Sequence, residues 1–464
     1  MEITTNKNPT ILIVGAGIGG LSFYHSVRKN LGNTFNVKIF ERETSPQDRW
    51  QGYNIYIHRR GITSLFYCTP AEVQARLPEA IPNSIPKEHH AIAIIDHVGR
   101  HLLYVPQQKF KSIYEIEPLK HDFAGMVAFR NRLRDVLLEG VDVQWDKKCV
   151  GYEECDNGVW ALFEDGTREF GDLLIGADGI NSPIRKQKVP SLEIIDLGVT
   201  SIDVDIEIPK NLADRLMFVY ANSLMQKSLG RNGDSFFSMM RFIPIDQSDE
   251  PSYRVTLGYG YPTNLDIKDN IVIDDKNPEA IIKHAITRIK QLRPPCELTD
   301  LMIELFSLVP FSHPGEKYPF RTYNPPRRRQ LRDIDPLSVP PWKNDRIVLL
   351  GDAAHAMNPL LGLGVSNAIE DADLLTKELL NYENDNLIAC IRRYNEQMRV
   401  RSSKDVTKSR NTVLRQRDPV GNFGLIVRYS IFRAINVLIN FIVFVKTHDI
   451  VWGRHVTGSS ILLN

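Results

Sequence analysis

Apolar residues along this chain fall into two textures. Ile11–Val14, Val37–Phe40 and Ile347–Leu350 read as strands, and the first and third are short unbroken apolar runs, the pattern of strands buried on both faces of a parallel sheet. A helix to about Lys29 follows the first run. The third leads into a helix whose Ala368, Ala372, Leu375 and Leu379 recur at helical spacing. From Leu192 to about Pro319 the pattern alternates instead: Ile202, Val204, Ile206 and Ile208 interleave with Asp203, Asp205 and Glu207, which predicts a half-exposed antiparallel strand. Ser235–Ile245 and Tyr253–Tyr261 read as further strands. Pro278–Leu292 reads as a helix with Ile282, Ala285, Ile286 and Ile289 on one face. Residues 60–128 alternate poorly and are read as helices and edge strands.

Turn residues mark where the strands deliver their chemistry. Gly15, Gly17 and Gly20 form GxGxxG between the first strand and its helix: a tight turn, a close approach for a pyrophosphate, and close helix–strand packing. Glu41 ends the second strand roughly 20 residues on, where the fingerprint wants an acid for ribose hydroxyls. Neither a GK[ST] phosphate loop nor a second GxGxxG after a strand occurs, so a nicotinamide coenzyme has no such domain of its own. Trp160–Phe163 and Arg168–Ile175 flank the turn 164–167 as a hairpin, and the second strand runs into Gly176-Ala177-Asp178-Gly179. Phe129–Leu138 is an amphipathic helix on which Arg132 and Arg134 read as solvated. Gly351 and Asp352 end the last buried strand, at the sheet edge where ligands bind in open α/β folds. Pro359, Gly362 and Gly364 then make an irregular loop. Glu370, Asp371 and Asp373 are expected early in the next helix, where its dipole favours acids.

Four of these stretches resemble, in order, the motifs of the group A (single-component) FAD-dependent monooxygenases, the para-hydroxybenzoate hydroxylase superfamily. They are GxGxxG with Glu41, the R-x-x-L-x-x-x-L helix from Arg130, GADGxxSxIR from Gly176, and GDAAHxxxPxxGxGxxxAxxDA from Gly351. Arg49–Ile55 is similar to the family's R-x-x-G-x-x-I segment, which would set Gly52 by the flavin. The resemblance implies an α/β fold: a Rossmann-like FAD-binding domain (GR2-type), an inserted antiparallel-sheet substrate domain and a C-terminal helical segment. The expected divisions are 1–190 for the FAD-binding domain, with parts of 50–128 serving the substrate domain, 191–332 for the substrate domain, 333–400 for the return of the FAD-binding domain, and 401–464 for C-terminal helices.

FAD contacts are implied at Gly15, Gly17, Gly20, Glu41, Arg42, Gly52, Arg130, Val150, Asp178, Gly179, Asp352, Pro359, Gly362, Leu363, Gly364 and Val365. Pro359 would stand at the reacting edge. Tyr220 and Arg241 are candidates to hold a phenolate or ketone oxygen of the substrate. The implied cycle passes hydride from NADPH or NADH to FAD, adds O2 to form a C4a-hydroperoxide, and transfers oxygen to an apolar, aromatic small molecule such as a polyketide or alkaloid intermediate. Phe236, Phe237, Met239, Met240, Phe242, Tyr259 and Tyr261 make the inserted sheet aromatic, as core or as pocket lining. The alternatives are an FAD-dependent reductase of the same fold and a non-catalytic flavoprotein. A halogenase is excluded because no two of Trp50, Trp145, Trp160, Trp342 and Trp452 are two residues apart.

Composition narrows this only slightly. Among 464 residues, 42% are hydrophobic and 24% charged, with a net charge of +1, so nothing favours nucleic acid as a partner. The five cysteines show no CxxC and no metal-ligand spacing, which fits a reducing compartment, the cytoplasm, and no metal. The start is polar, and no apolar run of 18 residues is apparent. Asn436–Val445, NVLINFIVFV, is read as packing over the substrate domain, with contact at a membrane surface as the alternative. The Arg327-Arg328-Arg329 run reads as a solvated loop. Oligomeric state is left open.

Overall fold

The computed structural model describes residues 8–46, 48, 53–81, 89–106, 112–116, 125–243, 252–311, 325–383 and 386–447. It comprises two compact units. The first unites 1–81, 110–197 and 331–413; the second unites 82–109, 198–330 and 414–464.

The first unit is built on a five-stranded sheet in the order Ile347–Leu349, Leu173–Gly176, Thr10–Val14, Asn36–Phe40, Val143–Gln144. All four pairings are parallel. Ile11–Ile13, Leu173–Ile175 and Ile347–Leu349 are fully buried, as unbroken apolar runs require. Register aligns the strand ends. Val14 stands beside Gly176 on one side and Phe40 on the other, and Gly176 stands beside Leu349. The segments after residues 14, 40, 176 and 349 therefore emerge at one edge. The central strand is flanked by the next strand in sequence on one side and by a much later one on the other, the reversal at which such sheets bind ligands.

The expected 168–175 strand is two strands. Arg168–Gly171 closes a three-stranded antiparallel sheet with Gly158–Phe163 and Cys149–Cys155, and Leu173–Gly176 belongs to the parallel sheet. Asp172 makes the break: its N–H donates to the Thr10 carbonyl at 2.8 Å and its carboxylate accepts the Thr10 N–H at 2.6 Å. Gly171-Asp172, set between the polar Arg168–Gly171 and the apolar Leu173–Ile175, is the sequence signal of this corner.

The second unit is a seven-stranded sheet in the order Arg327–Asp333, Ile195–Ile208, Ser252–Pro262, Ser235–Ile243, Ser223–Leu229, His89–Ile95, His101–Pro106. On one face Ile202, Val204, Phe236, Met240, Leu257 and Tyr259 join helices Lys210–Val219, Pro278–Leu292 and Glu297–Ser307 in a separate core. Two expectations change here. Asp205 is not exposed; Arg254 Nε donates to it at 2.6 Å and the Thr256 hydroxyl at 2.9 Å. Arg327–Arg329 is edge strand rather than loop, with Arg328 paired to Asp266 at 2.7 Å and Arg329 to Asp203 at 2.9 Å.

The C-terminal part holds two long helices, Leu387–Arg417 and Asn422–Thr447. The expectation that no long apolar span occurs is overturned: Asn422–Phe441 is a 20-residue stretch of mean hydropathy 1.3, long and apolar enough by composition to cross a membrane. Arg428 and Arg433 interrupt the run, but the apolar residues around them keep its average at 1.3.

Candidate functional site

The Gly15 loop is held on three sides. Gly15 has φ +111°, a conformation L side chains rarely adopt, and its N–H donates to the Phe40 carbonyl at 2.7 Å. A Cβ there would strike the Ala177 carbonyl and approach the Asp178 nitrogen to 3.1 Å; one on Gly20 would strike the Gly15 carbonyl. Gly19 faces Leu350 and Ala368 in the same way. The first and third motifs are thus in main-chain contact, which dictates Gly15 and Gly20, while the first meets the fourth stretch through the Leu350 and Ala368 side chains. Gly17 differs, since a Cβ there would meet open space.

Glu41 and Arg134 clamp the loop. The Ala16 N–H donates to Glu41 Oε2 at 2.9 Å, and Glu41 Oε1 accepts the Arg42 N–H at 3.0 Å. Arg134, expected on the surface, is buried; its Nε donates to the Ala16 carbonyl at 2.9 Å, and its guanidinium stands 3.9 Å from Glu41 and over the Trp145 ring. Sequence reasoning missed it because the helix from Arg130 carries arginines on more than one face, and only the packing of Leu133 and Leu137 shows which one turns inward. Arg130 is half-buried, with its guanidinium 5.8 Å from the centroid of the Tyr53 ring. Arg42 is largely exposed and pairs with Glu43 at 3.3 Å. Val150 is exposed at a register break in its strand. Gly52 lies outside the described residues.

Helix ends decide what can bind. The Ile18–Asn30 helix starts after Gly17 with no side-chain cap and no acid in its first turn. The Gly364–Leu379 helix likewise has neither. Their first N–H groups are free of side-chain partners and point a partial positive charge outward. The Pro183–Lys188 helix is capped instead, by Ser182, whose Oγ accepts the Arg185 N–H at 2.9 Å. Asp178 is therefore not a capping residue. Both of its carboxylate oxygens are shut from solvent without a hydrogen-bond partner. Burial pushes the carboxyl up to about 6, and neighbouring Ser182 and Arg185 only temper this. Gly179 follows with φ +82°.

After Gly351, Asp352 opens a short helix and is exposed, close to where Gly364 begins the long one. Pro359–Leu361 is a single tight turn, with Pro359 exposed. Gly362 follows at φ +62°, its missing Cβ 3.2 Å from Tyr56. Leu363 is buried and Val365 half-buried. Beneath lies an ion network. Asp371 accepts the Gly351 N–H at 2.8 Å and His355 Nε2 at 2.6 Å and pairs with Arg401; Glu370 pairs with Arg60 at 3.1 Å. Burial opposes the Asp371 charge, yet His355 and Arg401 hold its carboxyl below the ordinary range. These acids do not serve the helix dipole as expected, because the helix begins at Gly364 and they lie past its first turn; they fix the loop from below. His58 is a further unforeseen neighbour. Its N–H donates to Ser366 Oγ at 3.0 Å, its Nε2 lies 3.2 Å from the Leu361 carbonyl, and burial lowers its pKa.

In the second unit, strand alternation separates the aromatic residues. Phe236, Met240, Tyr259 and Tyr261 are in the core, while Phe237 and Met239, pairing with Lys227 and Met225, lie on the opposite face and outside that core. Lys227 is buried there, its Nζ donating to Gln416 Oε1 at 2.5 Å, and burial lowers it to about 7. Tyr220 is fully buried in the core with its hydroxyl unpartnered, so a substrate oxygen could reach it only if that core opened. Arg241 stands on the same strand as Phe237, opposite Arg254; its side chain lies outside the described residues. Among the described residues no cluster could hold a metal ion.

Residues 324–409 match the "FAD binding domain" family. The chain is 28% identical over 415 residues to the FAD-dependent monooxygenase thnD of Trichoderma harzianum, covering 87% of this chain and 92% of that one. It is 25% identical over 422 residues to the FAD-dependent monooxygenase phnB of Penicillium herquei, covering 87% and 90%. A solved structure described as an FAD-containing monooxygenase from Photorhabdus luminescens superposes with a TM-score of 0.68 at 26% identity, over 88% of this chain and 98% of that one. Klebsiella pneumoniae HpxO with FAD and uric acid has a TM-score of 0.67 at 19% identity, over 95% and 97%, a likeness of fold alone. The orphaned Asp178 carboxylate, the open space above Gly17 and the two uncapped helices fit the cofactor these proteins share. These likenesses support a group A FAD-dependent monooxygenase, an oxidoreductase.

Proposed function

We propose that this enzyme hydroxylates an apolar, aromatic small molecule at the expense of O2 and NADPH or NADH. The observation that supports the reading is the meeting of the Gly15 loop with Ala177-Asp178 at one edge of the parallel sheet, where both Asp178 carboxylate oxygens are shut from solvent without a hydrogen-bond partner. FAD, when bound, supplies the oxygen-activating chemistry. Gly15, Gly17 and Gly20 give the pyrophosphate a close main-chain approach to the first helix, whose free N–H groups meet its charge. Glu41 and Arg42 stand at the ribose end, and Arg130 supplies a cation at the phosphate and ribityl region. Asp178 and Gly179 close the far side, with the Asp178 carboxylate accepting ligand hydroxyl hydrogens and so regaining the bonds it lacks. Pro359, Gly362, Leu363, Gly364 and Val365 present main chain to the flat ring, and the uncapped Gly364 helix favours negative charge on it. Asp352 stands where it accepts a ribityl hydroxyl hydrogen. Gly52 and Val150 complete the binding residues at the ring and the adenine.

The aromatic substrate is recognised on the sheet face that carries Met225, Phe237 and Met239, which offers apolar surface that excludes water. Lys227, paired with Phe237 on that face, is the polar group we assign to take a phenolic proton in place of Tyr220, and Arg241 follows on the Phe237 strand. A polyketide or alkaloid intermediate is the substrate class we assign, and fungal relatives named as FAD-dependent monooxygenases support the oxygenation itself. The test is anaerobic stopped-flow reduction of the bound flavin by NADPH and NADH across phenolic and indolic compounds. The substrate should speed bleaching strongly and consume O2 in aerobic turnover. Reduction that no aromatic compound accelerates, followed by turnover without O2 uptake, would replace this reading with a reductase.

A further inference from the structure

The last described helix is built inside out. In Asn422–Thr447 the residues turned to the protein are polar where they bond. Asn436 Oδ1 accepts the Tyr104 N–H at 3.1 Å and Asn436 Nδ2 donates to the Leu102 carbonyl at 2.5 Å, so one asparagine pairs with the open edge of the His101–Pro106 strand. Tyr429 bonds Asp96, and Arg428 donates to the Gly230 carbonyl at 2.9 Å. The outward residues are apolar: Phe423, Ile426, Val427, Ile431, Leu438 and Phe441 are between 40% and 79% exposed. A helix of a water-facing surface shows the reverse arrangement.

We infer that this face lies in the plane of a lipid bilayer and anchors the enzyme to the membrane surface. The tethers to the edge strand act along the helix, so it is docked lengthwise and would enter the membrane half-immersed. From Phe423 to Phe441 the apolar face runs about 27 Å. Charge selects lipid over a second copy of the chain. The helix contains no acid, and among its exposed apolar residues stands Arg433. Arg433 is near the middle of the face, so pairing two such helices symmetrically, parallel or antiparallel, would bring Arg433 against Arg433 with no carboxylate on either helix. At a bilayer the same arginine extends to a lipid phosphate while its neighbours enter the acyl region.

Vesicle flotation of the full-length, FAD-loaded chain tests this. It should float with phosphatidylcholine vesicles containing phosphatidylserine. The double variant I431E/L438E should float about 10-fold less. Arg433→Glu should lose retention on the anionic vesicles more than on phosphatidylcholine alone. Both variants alter exposed side chains, and unchanged flavin content and circular dichroism would show that they fold. Wild-type chain left in the soluble fraction with both vesicle types would overturn the inference. So would a detergent-free dimer that I431E/L438E converts to monomer without any vesicle binding, which would make a second copy the occupant.

Discussion

Asp178 in the first unit and Asp266 in the second are both buried acids, and they are treated in opposite ways. Asp266 is saturated: the Tyr261 hydroxyl donates to it at 2.8 Å, Arg288 and Arg328 each at 2.7 Å, and His284 Nε2 stands 3.1 Å away. Burial opposes its charge, but these donors hold its carboxyl well below the usual carboxylate range. Asp178 has no partner in hydrogen-bond geometry on either oxygen, and burial, tempered by nearby Ser182 and Arg185, pushes it up to about 6. A buried charge whose partners are all in the protein is scaffold; one left without them has a structural reason only when a ligand completes it. The contrast separates the acid that builds the fold from the one we propose for FAD.

The comparison breaks most visibly at Asp266. Asp266→Ala removes the acid shared by buried Arg288 and half-buried Arg328, leaving them Asp269 and Asp275 as acid partners, and should lower stability by about 3 kcal/mol, read as a shifted calorimetric transition of the FAD-free chain. An unshifted transition would mean the cluster is not structural.

Asp178→Asn should act with the opposite sign. Its folded pKa lies above the unfolded value, so its contribution is fully present below about pH 4 and is lost as pH rises through about 6. The FAD-free chain should lose on the order of 2–3 kcal/mol between those limits, and Asp178→Asn should remove that loss while weakening FAD binding. Urea unfolding at pH 4, 5, 6 and 7 reads the first effect and flavin titration the second. A flat pH profile for the unsubstituted chain would end the assignment of Asp178 as unpartnered.

Arg134→Lys sharpens the contrast at the loop. It keeps a charge near Glu41 but loses the Nε bond to the Ala16 carbonyl and the Nη1 bond to the Pro46 carbonyl, and FAD should bind roughly 10-fold more weakly, with stability little changed. Unaltered affinity in flavin titration would return Arg134 to a structural role. The smallest effect is expected at Gly362→Ala, where positive φ and the nearby Tyr56 should cost about 1 kcal/mol in thermal unfolding. Its substrate-stimulated flavin reduction should slow, and a rate equal to wild type would remove the Gly362 loop from the reaction.

What was legible in the chain is local main-chain geometry. Gly15 and Gly20 announce a turn and a close approach because no other residue fits there, and the apolar runs around them announce buried strands. Arg134, His58 and the Asp371 network were not legible. Arg134 and Arg132 look alike in sequence, and only packing buries one of them. Asp371 looks like a dipole acid until its partners, His355 and Arg401, are brought in from 16 and 30 residues away. The last helix is the plainest case: NVLINFIVFV reads as core-packing residues with two misplaced asparagines, whereas the structure uses Asn436 as a tether and turns apolar side chains outward.

The sequence by itself determined the parallel sheet, the FAD fingerprint and the order of the motifs, because glycine at a fixed offset and an unbroken apolar run each have few structural solutions. Tertiary structure alone decided which charges are paired, which acid is left bare and which side of the last helix faces out. Those depend on contacts between residues far apart in the chain, and no local period encodes them.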